Sequence, residues 1–67
     1  MLPNFKWISE KIMDCAQRGC SNFSFCNDYE PEYIDNVIRY YMEKGYGLKI
    51  APVNNTNKVL INISWER

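Results

Sequence analysis

A two-layer α+β domain is the fold this 67-residue sequence predicts, with elements in the order αβαββ, a three-stranded mixed sheet and two helices on one face. Three observations carry that prediction. Apolar Val59, Ile61, Ile63 and Trp65 recur every second residue, opposite Leu60, Asn62 and Ser64, which marks a half-buried strand. Two upstream segments place apolar residues at spacings of three and four, and each is followed by a glycine suited to stopping a helix. Asn54-Asn55-Thr56-Asn57 joins two strand-like runs and is made of turn residues, so those runs form an antiparallel hairpin.

The first helix is expected from about Asn4 to Arg18. Phe5, Ile8, Ile12, Cys15 and Ala16 share one face, Asn4 can cap the start, and Gly19 supplies the left-handed residue past the end. Trp7 and Met13 fall off that stripe. A short strand then covers Cys20 to Cys26, where Phe23 and Phe25 alternate with small polar neighbours. Asn27-Asp28-Tyr29-Glu30 turns into a second helix that starts at Pro31, because proline suits the first helical position and keeps Glu30 out of the helix. Its buried stripe is Ile34, Val37, Ile38 and Tyr41. Gly45 stops it after Lys44, with Tyr46 able to fold back onto Tyr41. The second strand spans Gly47 to Val53, Pro52 marking a strand end or a sheet edge, and the third spans Lys58 to Trp65.

The first and second strands, joined through a helix, run parallel by a right-handed crossover. The third strand is the longest and most apolar, gains most from two neighbours, and is therefore placed between them in the order 1-3-2. Residues 1–67 form one domain. At this size folding buries only about 60% of the surface of the unfolded chain, so stability is marginal and aromatic residues or oligomerisation must help.

Eight Lys and Arg balance eight Asp and Glu, leaving no field to hold a phosphate backbone or an acidic membrane. The amino end lacks the basic start and apolar run of a secretion signal, and no apolar run approaches the roughly 20 residues that span a bilayer. A cytoplasmic protein that uses neither membrane nor generic nucleic acid is expected. Cys15, Cys20 and Cys26 are odd in number, match no zinc spacing and have no His to assist them, so free thiols are expected, with no metal and no cofactor.

Catalysis has little to start from. The chain has no His, and Gly45-Tyr46-Gly47 follows a helix where a phosphate loop would follow a strand. No catalytic residue is assigned. Asp28, Glu30, Glu32 and Asp35 form one acidic cluster, which can be a docking patch or a divalent-metal site, although acids also gather at a helix start because the dipole is positive there. Tyr29, Tyr33 and Tyr40 lie beside the buried stripe of the second helix and are candidate contacts for a protein or an aromatic ligand. Arg39, Lys49 and Lys58 are available for an anionic group. The sheet face away from the helices, with Asn22, Ser24, Cys26, Lys49, Ala51, Val53, Leu60, Asn62 and Ser64, has one charge among nine residues. Charge depletion there points to a contact surface, and self-association through Asn22, Ser24, Leu60, Asn62 and Ser64, or through the edge of the first strand, is expected.

A helix stopped by Arg18-Gly19-Cys20, a helix ending Glu43-Lys44-Gly45-Tyr46 and a closing Ile61-Asn62-Ile63-Ser64-Trp65 make the chain similar to short accessory proteins of tailed bacteriophages. That resemblance implies binding to a host component to block or sequester it, in counter-defence or host takeover, and transfers no site residue. The expected function is a non-enzymatic, homo-oligomeric protein in the host cytoplasm that inhibits a host protein or sequesters a small anionic ligand such as a signalling nucleotide. A virion structural or assembly subunit is the second reading, and a small enzyme the third.

Overall fold

A computed structural model describes residues 4–65; the reading of the amino end rests partly on residues 1–3, outside that range. The elements are α1 (Phe5–Gln17), β1 (Asn22–Asp28), α2 (Pro31–Glu43), β2 (Gly47–Pro52) and β3 (Lys58–Ser64). The sheet has the expected order β1-β3-β2. β1 and β2 run in the same direction, as the helical crossover requires. β3 lies between them, however, so both ladders are antiparallel and the mixed pairing expected from the crossover does not arise.

Local chemistry accounts for each helix boundary. Asn4 Oδ1 accepts the Trp7 N–H at 3.0 Å, which satisfies one of the free donors at the start of α1. α2 begins at Pro31 behind an extended Glu30. Both helices end in the same six-residue device. In α1, Gly19 N–H donates to the Ala16 carbonyl at 3.1 Å and Cys20 N–H to the Cys15 carbonyl at 2.9 Å. In α2, Gly45 N–H donates to Met42 and Tyr46 N–H to Tyr41, both at 3.0 Å. This is the Schellman pattern, and it needs positive φ at the glycine, which is +87° at Gly19 and +92° at Gly45. Because this stop uses Cys20, β1 starts two residues later than expected. It also continues two residues further, since Asn27 and Asp28 pair with Val59 and Lys58.

The core lies between the helices and one face of the sheet. Ile8 and Ile12 from α1, Ile34, Val37 and Tyr41 from α2, and Val59, Ile61 and Ile63 from β3 are buried, with Phe5, Phe23, Phe25, Ile38, Leu48, Ile50 and Trp65 packed against them. Fully burying an aliphatic side chain of this kind contributes about 1.5–3 kcal/mol, so β3 alone supplies a large part of the driving force. The buried stripe of α1 is shorter than expected. Cys15 is half-buried, and Ala16, which lines an open groove, is exposed. Aromatic rings fill the periphery: Phe5 stacks on Tyr40 at 4.1 Å, Tyr46 meets Tyr41 edge-on at 5.5 Å, and Trp7 meets Phe23 and Phe25 edge-on at about 6 Å.

Among the described residues Tyr41 is the one buried side chain with a polar end. Its hydroxyl hydrogen-bonds Ser9 Oγ at 2.9 Å and lies 3.4 Å from the Phe5 carbonyl. Burial raises the Tyr41 phenol above its ordinary value, a rise that the bond to Ser9 opposes and the neighbouring Tyr40, Tyr46 and Tyr33 reinforce.

Candidate functional site

Because both helices pack on one side of three strands, no element among the described residues covers the other side of the sheet, which is the bare face. Alternation along the strands decides what it displays. Leu48, Ile50, Val59, Ile61 and Ile63 turn inward, which leaves rows running across the outer face in the observed register. At one end stand Asn22, Ser64 and Gly47, followed by Ser24, Asn62 and Lys49, then Cys26, Leu60 and Ala51, and finally Asp28 beside Lys58.

The rows grade from polar to apolar. Asn62 Nδ2 donates to Ser24 Oγ at 2.6 Å and to Asn22 Oδ1 at 3.3 Å, so the central strand is tied to β1 by side chains as well as backbone. A Cβ at Gly47 would stand 2.8 Å from Ser64 Oγ, and glycine there leaves that hydroxyl its place beside the strand. In the next row Leu60 is 38% exposed in the middle of the central strand, flanked only by Cys26 and Ala51. Their short side chains leave its flanks open. The ion pair of Lys58 Nζ and Asp28 Oδ1 at 3.1 Å borders this apolar row.

The two sheet edges differ. Trp65 N–H donates to the Ser21 carbonyl and Tyr29 N–H to the Asn57 carbonyl, both in the β1–β3 register, so odd-numbered residues of β1 bond to β3. Asn22, Ser24, Cys26 and Asp28 therefore aim their backbone groups at the open edge. Val53 N–H donates to the Lys58 carbonyl, so on β2 it is the residues with inward side chains, Leu48 and Ile50, and with them Pro52, whose backbone groups face the open edge. Pro52 has no N–H to offer there. The β2 edge is blunted by proline, whereas the β1 edge presents a continuous row of donors and acceptors.

The other candidate residues are scattered. Tyr29 is 56% exposed, Tyr33 is half-buried against the core, and Tyr40 is held by Phe5 with Lys44 Nζ 4.9 Å above its ring. Burial, followed by the nearby Glu30, raises the Tyr33 phenol. Arg39 pairs with Asp35 and Lys58 with Asp28, both at 3.1 Å. Lys49 lies on the bare face, on the opposite side of the sheet from α2, so the three cations and the α2 tyrosines do not converge on one pocket within the chain. The acidic cluster is also divided, since Asp28 and Asp35 are engaged by those cations while Glu30 and Glu32 stand in solvent. Among the described residues no three Cys, Asp or Glu side chains gather as a metal site.

One groove of about 320 Å³ opens between α1 and the end of β3, lined by Ser9, Ile12, Met13, Ala16, Tyr46 and Trp65. The sequence did not show it because it forms between α1 and two residues distant in sequence, Tyr46 and Trp65. Exposed Met13, off the buried stripe, was the available signal. Among the described residues the lining carries no charged side chain, which suits an apolar occupant. No helix among the described residues is long and apolar enough to cross a membrane. No protein-family model, curated protein or solved structure matches the chain.

Proposed function

We propose that this chain is a small binding protein that acts by stoichiometric contact through its sheet, and that its partner is a protein. The observation supporting this most strongly is the row of Cys26, Leu60 and Ala51, an apolar strip bordered by the Asp28–Lys58 ion pair, with the open edge of β1 alongside. A flat face of this kind suits a protein surface better than a small molecule, which needs a concave site. The open β1 edge can accept a further strand, adding main-chain hydrogen bonds to the side-chain contacts of the face. The resemblance to phage accessory proteins makes a host protein the partner and inhibition the outcome.

Self-association belongs to the same proposal. One open edge and one blunted edge favour a closed pair of copies over a growing filament, and zero net charge adds no repulsion between copies. Affinity capture from a bacterial host, comparing the native chain with Leu60→Lys and Cys26→Pro, tests both parts. The Cys26 N–H faces the open edge, so proline there removes no bond to β3. A specific host protein lost with Leu60→Lys supports the face, and an oligomer lost with Cys26→Pro, followed by light scattering, supports the edge. Equal capture by all three chains would refute the sheet as the contact surface. Incorporation into phage particles without a captured host protein would favour the structural role.

A further inference from the structure

The two helix ends share a backbone device but differ in the side chains it brings together, and the difference singles out two thiols. In a Schellman stop the third residue from the helix end and the second residue beyond the cap face one another. In α2 these positions hold Tyr41 and Tyr46, whose rings meet at 5.5 Å. In α1 they hold Cys15 and Cys20. The α1 stop matches that of α2 in its hydrogen bonds, and its glycine φ is +87° against +92°. Its cap residues also agree, with φ −87° and ψ 0° at Arg18 against −90° and 0° at Lys44.

From that match we infer that Cys15 and Cys20 form a dithiol which closes reversibly to an intramolecular disulfide on exposure to a peroxide. One N–H···O bond of 2.9 Å ties Cys20 to Cys15. Such a bond holds two Cα atoms roughly 5–6.5 Å apart, within the range a disulfide spans. Cys20 is exposed and Cys15 half-buried. This asymmetry assigns the order of events. The Cys20 thiolate attacks the O–O bond of hydrogen peroxide, becoming a sulfenic acid and releasing hydroxide, which leaves as water with the thiol proton. The Cys15 thiolate then attacks the Cys20 sulfur, forms the S–S bond and displaces a second hydroxide, which takes the Cys15 proton. Two thiols and one peroxide thus give one disulfide and two waters. Cys26 takes no part, since it lies on the bare sheet face opposite Leu60.

The closed form staples the last turn of α1 to the segment before β1, two positions that the helix-stop hydrogen bonds already hold together. Arg18 lies between the two cysteines, which provides a direct readout: trypsin separates residues 12–18 from residues 19–39 unless a disulfide joins them. The test treats the reduced, folded chain with hydrogen peroxide, then measures free thiols, intact mass and tryptic peptides. Free thiols should fall from three to one with the loss of two hydrogens in mass, and the two peptides should stay linked until dithiothreitol is added. Cys26→Ser should still close, and Cys20→Ser should not. A Cys26→Ser chain that keeps both thiols, is oxidised to sulfinic acid, or links only between molecules would overturn the inference. Equilibration with glutathione gives a second measure. The folded Cys26→Ser chain should favour the disulfide over the same chain in urea by roughly tenfold, and equal ratios would show that the helix stop contributes nothing.

Discussion

The covered and bare faces of this sheet are made by the same three strands, one residue out of step, and are held in different ways. On the covered face, Val59, Ile61 and Ile63 exclude water against two helices. On the bare face, Asn62 reaches Ser24 and Asn22 by hydrogen bonds whose partners remain open to solvent, and Leu60 stands uncovered. The first arrangement gains from area and the second from pairing. In a chain this small the area term decides whether it folds, which leaves the bare face free to be shaped by other demands.

Substitutions should separate the two faces by the size of their effects. Ile61→Ala removes a wholly buried side chain from the middle of the central strand and should cost about 3–4 kcal/mol, enough to leave much of the chain unfolded in a urea titration at 25 °C. Tyr41→Phe keeps the ring contacts and deletes the bond to Ser9, for an expected loss of about 1 kcal/mol. Its pH dependence is a sharper mark. The buried Tyr41 phenol titrates above its ordinary value, so the unfolded chain ionises first and stability should fall as pH rises past about 10. Tyr41→Phe should flatten that fall, leaving the part that Tyr33 contributes. On the bare face, Asn62→Ala should cost about 0.5–1 kcal/mol by thermal or urea unfolding, because its partners can turn to water. Leu60→Lys should change stability by less than about 0.5 kcal/mol, yet abolish capture of the proposed partner. A large loss of stability with Leu60→Lys would mean that the two faces are not independent.

The covered face was legible in the sequence because burial imposes a period, and the period of Val59, Ile61 and Ile63 is unbroken. The strand order followed from the same residues, since the most apolar strand had most to gain from a central place. The helix stops were legible at Gly19 and Gly45, which have no Cβ to oppose positive φ. What the sequence could not supply was convergence. Ser9 meeting Tyr41, Trp7 covering Phe23 and Phe25, and the separation of Lys49 from Arg39 depend on how layers sit on one another. No local spacing encodes that. The bare face was visible as a set of residues with Lys49 as its one charge, but the register of both ladders was needed to add the paired Asp28 and Lys58 to it.

The strand that joins the sheet is made after the two it joins. On a ribosome β1 and β2 emerge with no partner, and β1 must wait through the whole of α2 before Lys58 to Ser64 can zip against it. The local hairpin of β2 and β3 has a short turn to close, whereas the register of Asn22 with Ser64 closes a loop of some forty residues. Newborn chains therefore pass through a stage in which β1 is an unpaired strand that carries Phe23 and Phe25, and that interval is when a chaperone or a neighbouring chain has its best opportunity to capture it.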